Sequence, residues 1–255
     1  MSQTLALELP ISKLPIAKSA RIVSWRRQKF GMIGQSGIGK SEFWAQGEKS
    51  FFVECEAGLN HLEVLKLPCR SWEGFREIYR LLLEGQKSGE LPYDTIVIDT
   101  IDRLIDYAHE EIVQRGRERY QKIEINTIGD IPNGAGWFWT KELISNALGK
   151  LEDLGTAVVY IGHLATKKEK ISPIFEIDRR TISVGGQLGE ALCAWPDHLL
   201  HVESIILGQE LKRRVRTFPT QSIEAKSRGG IVPDGIQWSN NAKENYENLK
   251  KLFQE

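Results

Sequence analysis

The octapeptide GQSGIGKS at residues 34–41 matches the pattern G-x-x-x-x-G-K-[ST] at every fixed position. An apolar run at 30–33 reads as a strand before it, and residues 42–46 read as a helix start after it. This order constrains the fold, because such a loop works where a strand end delivers it to a helix N-terminus. Gly34, Gly37 and Gly39 are expected to allow positive φ and close backbone approach, so that successive N–H groups converge on an anion. The loop Gly34, Gln35, Ser36, Gly37, Ile38, Gly39, Lys40 and Ser41 therefore reads as a polyphosphate cradle. Lys40 would reach the β- and γ-phosphates of ATP, and Ser41 would bind Mg²⁺. The bland alternative is a glycine-rich turn that merely joins a strand to a helix.

The chain has 255 residues, enough for one large α/β domain or two small ones, and its 41% hydrophobic and 27% charged content is ordinary for a globular protein. A formal net charge of +0 excludes global attraction to nucleic acid or membrane, so any such binding must use local patches. Cys55, Cys69 and Cys193 are odd in number and show no metal-ligand spacing, which argues for a reducing compartment and against a zinc site. Glu8, Pro10 and Pro15 stand where a signal peptide needs an apolar core, and no run approaches a membrane span. A cytoplasmic protein without membrane contact is expected. Neither an internal repeat nor a linker is visible, so one domain over 1–255 is the simplest organisation, with a basic lead-in at 1–28 and a terminal amphipathic helix within 240–255.

Along the chain, SFFVECE at 50–56 reads as a buried strand ending in two acids. Ligands of open α/β sheets bind at the carboxyl ends of strands, so an acid there can orient an attacking water. Glu56, nearer the end, is favoured over Glu54, with ordinary polar strand ends as the alternative. Ser71 caps an amphipathic helix carrying Trp72, Phe75, Ile78 and Leu82, broken over 85–92. In YDTIVIDTID, residues 96–98 form a short buried strand that Asp99 terminates. An aspartate there, downstream of such a loop, is a Walker-B arrangement that holds Mg²⁺ directly or through water. Asp102 reads as a first-turn residue complementing the next helix dipole.

Residues 116–136 interrupt the α/β rhythm as a long loop, and long loops are usually functional or disordered. Trp139 continues a helical apolar stripe and reads as core, whereas Trp137 is left open between core and base stacking. Strand 157–162 ends at His163, which stands either as a sensor of the γ-phosphate or as a satisfied structural histidine. Residues 164–189 read as a loop with a modest basic excess, suited to phosphate backbone or to solvent. Strands follow at 198–204, 212–218 and 223–226. In EAKSRGG, Lys226 and Arg228 share one face of an extended segment, as a fork for phosphates across a subunit boundary or as two exposed cations before a turn.

The order of P-loop, acid-ended strands, the His163 strand and an edge hairpin resembles the RecA-type ATPase core. Within it, VIDTIDRL, YIGHLATKK and EAKSR are most similar to the RecA-like ATP-binding proteins of phages and plasmids that include single-strand annealing recombinases. The resemblance covers about residues 22–235. It implies an α/β fold with a twisted, mostly parallel sheet flanked by helices, a C-terminal antiparallel edge hairpin, and the His163 strand between the P-loop and Asp99 strands. It also implies Glu56 as the water-activating base, His163 as sensor, and Lys226 and Arg228 as fingers acting on ATP in a neighbouring subunit of a homo-oligomer. Loops 116–136 and 164–189 would line a path for single-stranded DNA, and phage or host replication and recombination proteins would be partners. No appended DNA-binding domain is recognisable. A nucleotide-dependent assembly or loading module that binds a protein partner is the rival expectation. A small-molecule kinase is a third, though its lid arginines are not evident.

Overall fold

The computed structural model describes residues 23–172 and 175–253. The basic lead-in therefore lies outside the described residues up to 22, as do the last two positions of the expected terminal helix. The parallel strands are β1 (Lys29–Gly34), β2 (Ser50–Glu54), β3 (Leu65–Pro68), β4 (Thr95–Asp99), β5 (Ala157–Ser172) and β7 (His198–Leu207). To these are added β6 (Phe175–Ile182), β8 (Glu210–Arg216), β9 (Lys226–Ser227) and β10 (Ile236–Trp238). The sheet runs β10-β8-β7-β1-β5-β4-β2-β3, with β6 on β5 and β9 on β7. β5 lies between β1 and β4, and β8 and β10 form an antiparallel edge, as the resemblance implies. The fold is mixed α/β with a mostly parallel sheet.

Helices α2 (Trp72–Ser88), α3 (Ile101–Arg119), α4 (Ala135–Glu152) and α5 (Gly186–Ala194) share one hydrophobic core, while α1 (Lys40–Trp44) and α6 (Ala242–Lys250) belong to another. Strand pleating divides the side chains between them: Ile96, Ile98, Val158 and Tyr160 enter the first core, and Val97, Val159 and Ile161 the second. Strands buried on both faces read as continuous apolar runs, which is why the sequence marks them so clearly. Each fully buried side chain of this size stabilises by about 1.5–3 kcal/mol. Ser71 caps α2 by accepting from Gly74 N–H, and Gly89, with φ 74, ends it. The helix thus continues through Gly85, where a break is expected from sequence.

Three expectations change. Residues 164–189 are not a loop: β5 continues to Ser172 and pairs antiparallel with β6, and α5 follows. The hairpin carries charges on both faces, so no apolar alternation betrays it, and cross-strand pairs such as Arg179–Glu169 (3.0 Å) and Lys170–Glu176 (3.9 Å) contribute to the pairing. Residues 116–119 belong to α3 and 135–136 to α4, and the stretch between them packs with α3 around a satellite core of Ile112, Ile125, Ile128 and Ile131. Of the strand expected at 223–226, Lys226 alone falls in β9, while Ile223 makes an isolated bridge to Arg180. Trp139 stacks on Tyr120 beside the satellite core, in keeping with its core reading. β3 carries no strong sequence signal, because Leu65 and Leu67 are exposed at the sheet edge.

Candidate nucleotide site

The P-loop leaves the carboxyl end of β1 and turns into α1. Gly37 (φ 73) and Gly39 (φ 96) occupy the left-handed region, as a nest of N–H groups requires. Gly34 is held by a different constraint than expected. Its φ is not positive, but an added Cβ would lie 2.8 Å from the Val202 carbonyl of β7, so glycine lets the loop leave a crowded sheet. At five residues, α1 is short, so the backbone nest carries more of any anion binding than a helix dipole does.

Lys40 folds back over the loop, donating to the carbonyls of Gly34 (2.8 Å) and Gln35 (2.9 Å). Burial lowers its pKa against the opposing pull of Asp99, Asp102 and Glu56, so a polyphosphate would supply the counter-charge that burial removes. Asp99 ends β4 and is itself buried. Burial raises its pKa, partly offset by a hydrogen bond with Ser41 and the charge of Lys40. Its Oδ2 is buried with no hydrogen-bond partner among the described residues. A buried carboxylate oxygen of that kind costs stability unless a ligand occupies it. A serine hydroxyl beside an unsatisfied carboxylate is the oxygen donor set that Mg²⁺ takes together with phosphates and water, so these residues fit the metal.

Glu54 and Glu56 have different fates. Glu54 closes β2 inside the protein, where Lys66 (2.7 Å) and Arg70 (3.2 Å) hold its carboxyl below the usual range against the opposing effect of burial. Glu56 lies beyond the strand end and is exposed. The Cys55 and Glu56 N–H groups both donate to the Asp99 carbonyl, at 2.7 and 3.2 Å, and Tyr107 Oη donates to the Cys55 carbonyl at 3.0 Å. Glu56 is thereby tethered beside Asp99, and its charge is felt at Lys40 and Asp99.

His163 is level with Gly34 across the β1–β5 pair, and its charge is felt at Asp99. Asp102, in the first turn of α3, does more than complement a dipole: its Oδ2 accepts from His163 N–H at 2.9 Å and its Oδ1 from Ser183 Oγ–H. Sequence reading also missed Arg213. From β8 its Nη1 donates to the Ile38 carbonyl at 3.3 Å, and an added Cβ at Gly39 would meet that nitrogen at 2.5 Å. Period-two alternation places Arg213 on the face of buried Val215, but a contact spanning 175 residues has no local signal.

The structure does not bring Lys226 and Arg228 to this site. β9 pairs with the first residues of β7, at the amino ends of the parallel strands, so both cations occupy the edge opposite the P-loop. Lys226 Nζ donates to the Ala194 carbonyl at 2.6 Å, and Arg228 pairs with Asp197 at 3.0 Å. A cleft of about 910 Å³ at that edge is lined by Arg26, Arg27, Asp197 and Arg228 and is separate from the nucleotide cradle. A second cleft of about 820 Å³ runs between α3, the start of α4 and the turn before α5. Trp137 and Phe138, 61% and 57% exposed, line it together with His109, Asp102 and Ser183.

Strand order, loop and acid positions together define a P-loop ATPase domain. The chain belongs to the AAA_24 family, described as an AAA domain, whose model matches residues 26–229. It is 27% identical over 143 residues to the SPbeta prophage-derived uncharacterized protein YorG of Bacillus subtilis (strain 168), a match covering 55% of this chain and 42% of that relative's length. Among solved structures it resembles the KaiC-like protein PH0186 from Pyrococcus horikoshii OT3, with a TM-score of 0.46 and 13% identity, over 85% of this chain and 87% of the other. Among the described residues no helix is long and apolar enough to cross a membrane.

Proposed function

We propose that this protein hydrolyses ATP with Mg²⁺ and couples that hydrolysis to single-stranded DNA in recombination or annealing, as a homo-oligomer in ring or filament form. The observation that carries the hydrolytic reading is the unpartnered, buried Asp99 Oδ2 beside Ser41, with the backbone of Glu56 tethered to the Asp99 carbonyl. Ser41 and Asp99 would hold Mg²⁺, which neutralises charge on the phosphates when bound. The N–H groups around Gly37 and Gly39 and the Lys40 ammonium would bind and orient the triphosphate, and the Lys40 charge would stabilise charge developing at the transferred phosphoryl group. Glu56 would orient and deprotonate the attacking water, and His163 would register the γ-phosphate from within β5, level with Gly34.

Lys226 and Arg228 lie at the far edge of the same sheet, which supports a role at the ATP of an adjacent copy rather than at their own. Arg228 is 65% exposed on its side chain but its partner Asp197 is buried, so a phosphate that engages Arg228 must either share it with Asp197 or offset the loss of that pair. The DNA reading draws on the resemblance to annealing recombinases, the prophage origin of the relative YorG, and the exposed Trp137 and Phe138 between the two chain segments named for DNA. Most of the second segment is a charged antiparallel strand pair rather than a loop. A nucleotide-dependent loading module with a protein partner is the second reading, and the apolar lining of the Trp137 cleft favours it.

Titration of the protein with a fluorescent single-stranded oligonucleotide, with and without ATP and across salt concentrations, separates the two. The first reading predicts binding that strengthens with ATP and weakens steeply with salt. Absence of binding at low salt would favour the loading module.

A further inference from the structure

We propose that Asp102 is a positioning residue that holds the proton of His163 on Nδ1 and locks this histidine to the junction between β6 and α5. The inference rests on the ATPase reading for its functional meaning, but its structural part stands on geometry alone.

One carboxylate gathers three elements. Asp102 belongs to the first turn of α3, three residues beyond Asp99. Its Oδ2 accepts from the His163 backbone N–H at 2.9 Å and lies 3.3 Å from His163 Nδ1. Its Oδ1 accepts from Ser183 Oγ–H, and Ser183 N–H in turn donates to the His163 carbonyl at 2.9 Å. Ser183, Asp102 and the backbone of His163 thus form a closed set of contacts. Packing reinforces it, since a Cβ at Gly162 would meet Ile182 at 3.2 Å and Ile101 at 3.4 Å.

A neutral imidazole carries its proton on one nitrogen and a lone pair on the other. A lone pair on Nδ1 would face an anionic oxygen at 3.3 Å, whereas an N–H there is attracted to it. The charge of Asp102 therefore selects the Nδ1–H form and leaves the Nε2 lone pair on the side away from Asp102. Such a ring accepts a hydrogen from water through Nε2, and donates to a phosphate oxygen through Nε2 only as imidazolium. Asp102 thereby decides what His163 can bind. Asp102 and Ser183 also line the cleft that contains Trp137, so an occupant of that cleft would meet the same pair that orients His163.

Long-range ¹H–¹⁵N spectra of the full chain labelled at its five histidines, with the His163 signals assigned from His163→Gln, read the tautomer directly. The expected result above the histidine titration is Nδ1–H for His163 in the natural protein. Asp102→Ala should shift it towards Nε2–H, and Asp102→Asn should do so partly. Ser183→Ala should leave the tautomer in place. In turnover assays Asp102→Asn should lower kcat roughly tenfold to a hundredfold with KM within about twofold, as for loss of a supporting hydrogen-bond partner. A His163 that is Nε2–H in the natural protein, or a tautomer unchanged from the natural protein in both Asp102 variants, would overturn the proposal. If Asp102→Ala does not fold, the Asp102→Asn spectrum decides in the same way. Natural protein that turns over no ATP would remove the ATPase reading and leave the tautomer result standing.

Discussion

At the carboxyl ends of β1 and β4, Asp99 Oδ2 is buried and unpartnered among the described residues, and Lys40 is bound to the carbonyls of its own loop. At the amino ends of the same sheet, Asp197 accepts from Lys29 N–H and pairs with Arg228, while the His198 ring lies 3.2 Å from both Ser227 Oγ and Gln28 Oε1. Both edges contain buried polar groups, but they differ in kind: the carboxyl edge leaves a carboxylate oxygen unpartnered, whereas at the amino edge Asp197 is paired and the unpartnered buried atoms among the described residues are the neutral hydroxyls of Ser50 and Thr156. An unpartnered buried carboxylate oxygen costs more free energy than a neutral hydroxyl, so Asp99 marks where a cationic ligand compensates the burial. The amino edge, where the charged groups are paired, presents Arg228 outward.

Substitutions at the two edges should separate along that line. The largest effect is expected from Lys40→Ala, which removes the one ammonium in the cradle and should abolish ATP turnover. Undiminished hydrolysis in that variant would remove the nucleotide assignment. Next, Glu56→Gln keeps the shape of the side chain without its basicity and should lower kcat by roughly 10²–10⁴, with nucleotide binding retained. Fluorescent-nucleotide binding measured beside steady-state turnover checks both halves of that expectation.

At the opposite edge the expected effect is on stability. Burial holds the His198 pKa down to about 4, so the unfolded chain binds more protons than the folded one between pH 6.5 and about 4. Its contribution, on the order of 3 kcal/mol, is fully present above pH 6.5 and is lost as pH falls towards about 4. Urea unfolding at pH 7 and pH 4.5 should show that His198→Gln loses less stability on acidification than the natural protein does; equal losses would refute the assignment. The smallest effect belongs to Arg213→Ala. Losing one hydrogen bond to the Ile38 carbonyl, worth about 1 kcal/mol, should raise the KM for ATP roughly fivefold with kcat little changed.

The nucleotide edge was largely legible from sequence because its signals are local. GQSGIGKS is contiguous, and Asp99, Glu56 and His163 each follow an apolar strand by at most a few residues. Partners distant in sequence were not legible. Ser183 reaches Asp102 across 81 residues and Arg213 reaches Ile38 across 175, and no periodicity encodes either meeting. The β5–β6 hairpin was hidden for another reason: it projects with charge on both faces, so the period-two contrast that reveals a half-buried strand is absent. Gly34 shows the same limit on a smaller scale, since its need for glycine comes from the neighbouring Val202 carbonyl and not from its own φ.

The central claim is that the carboxyl edge of one copy, with its P-loop, is completed by the amino edge of another, with its Arg228. Mixing two inactive variants, Lys40→Ala and Arg228→Ala, tests it most directly. In a head-to-tail assembly about a quarter of the interfaces in an equimolar mixture would pair an intact P-loop with an intact Arg228. The account predicts ATPase activity well above the sum of the separate variants, rising towards about a quarter of the natural rate. Activity equal to that sum, under conditions where the variants are shown to co-assemble, would contradict it.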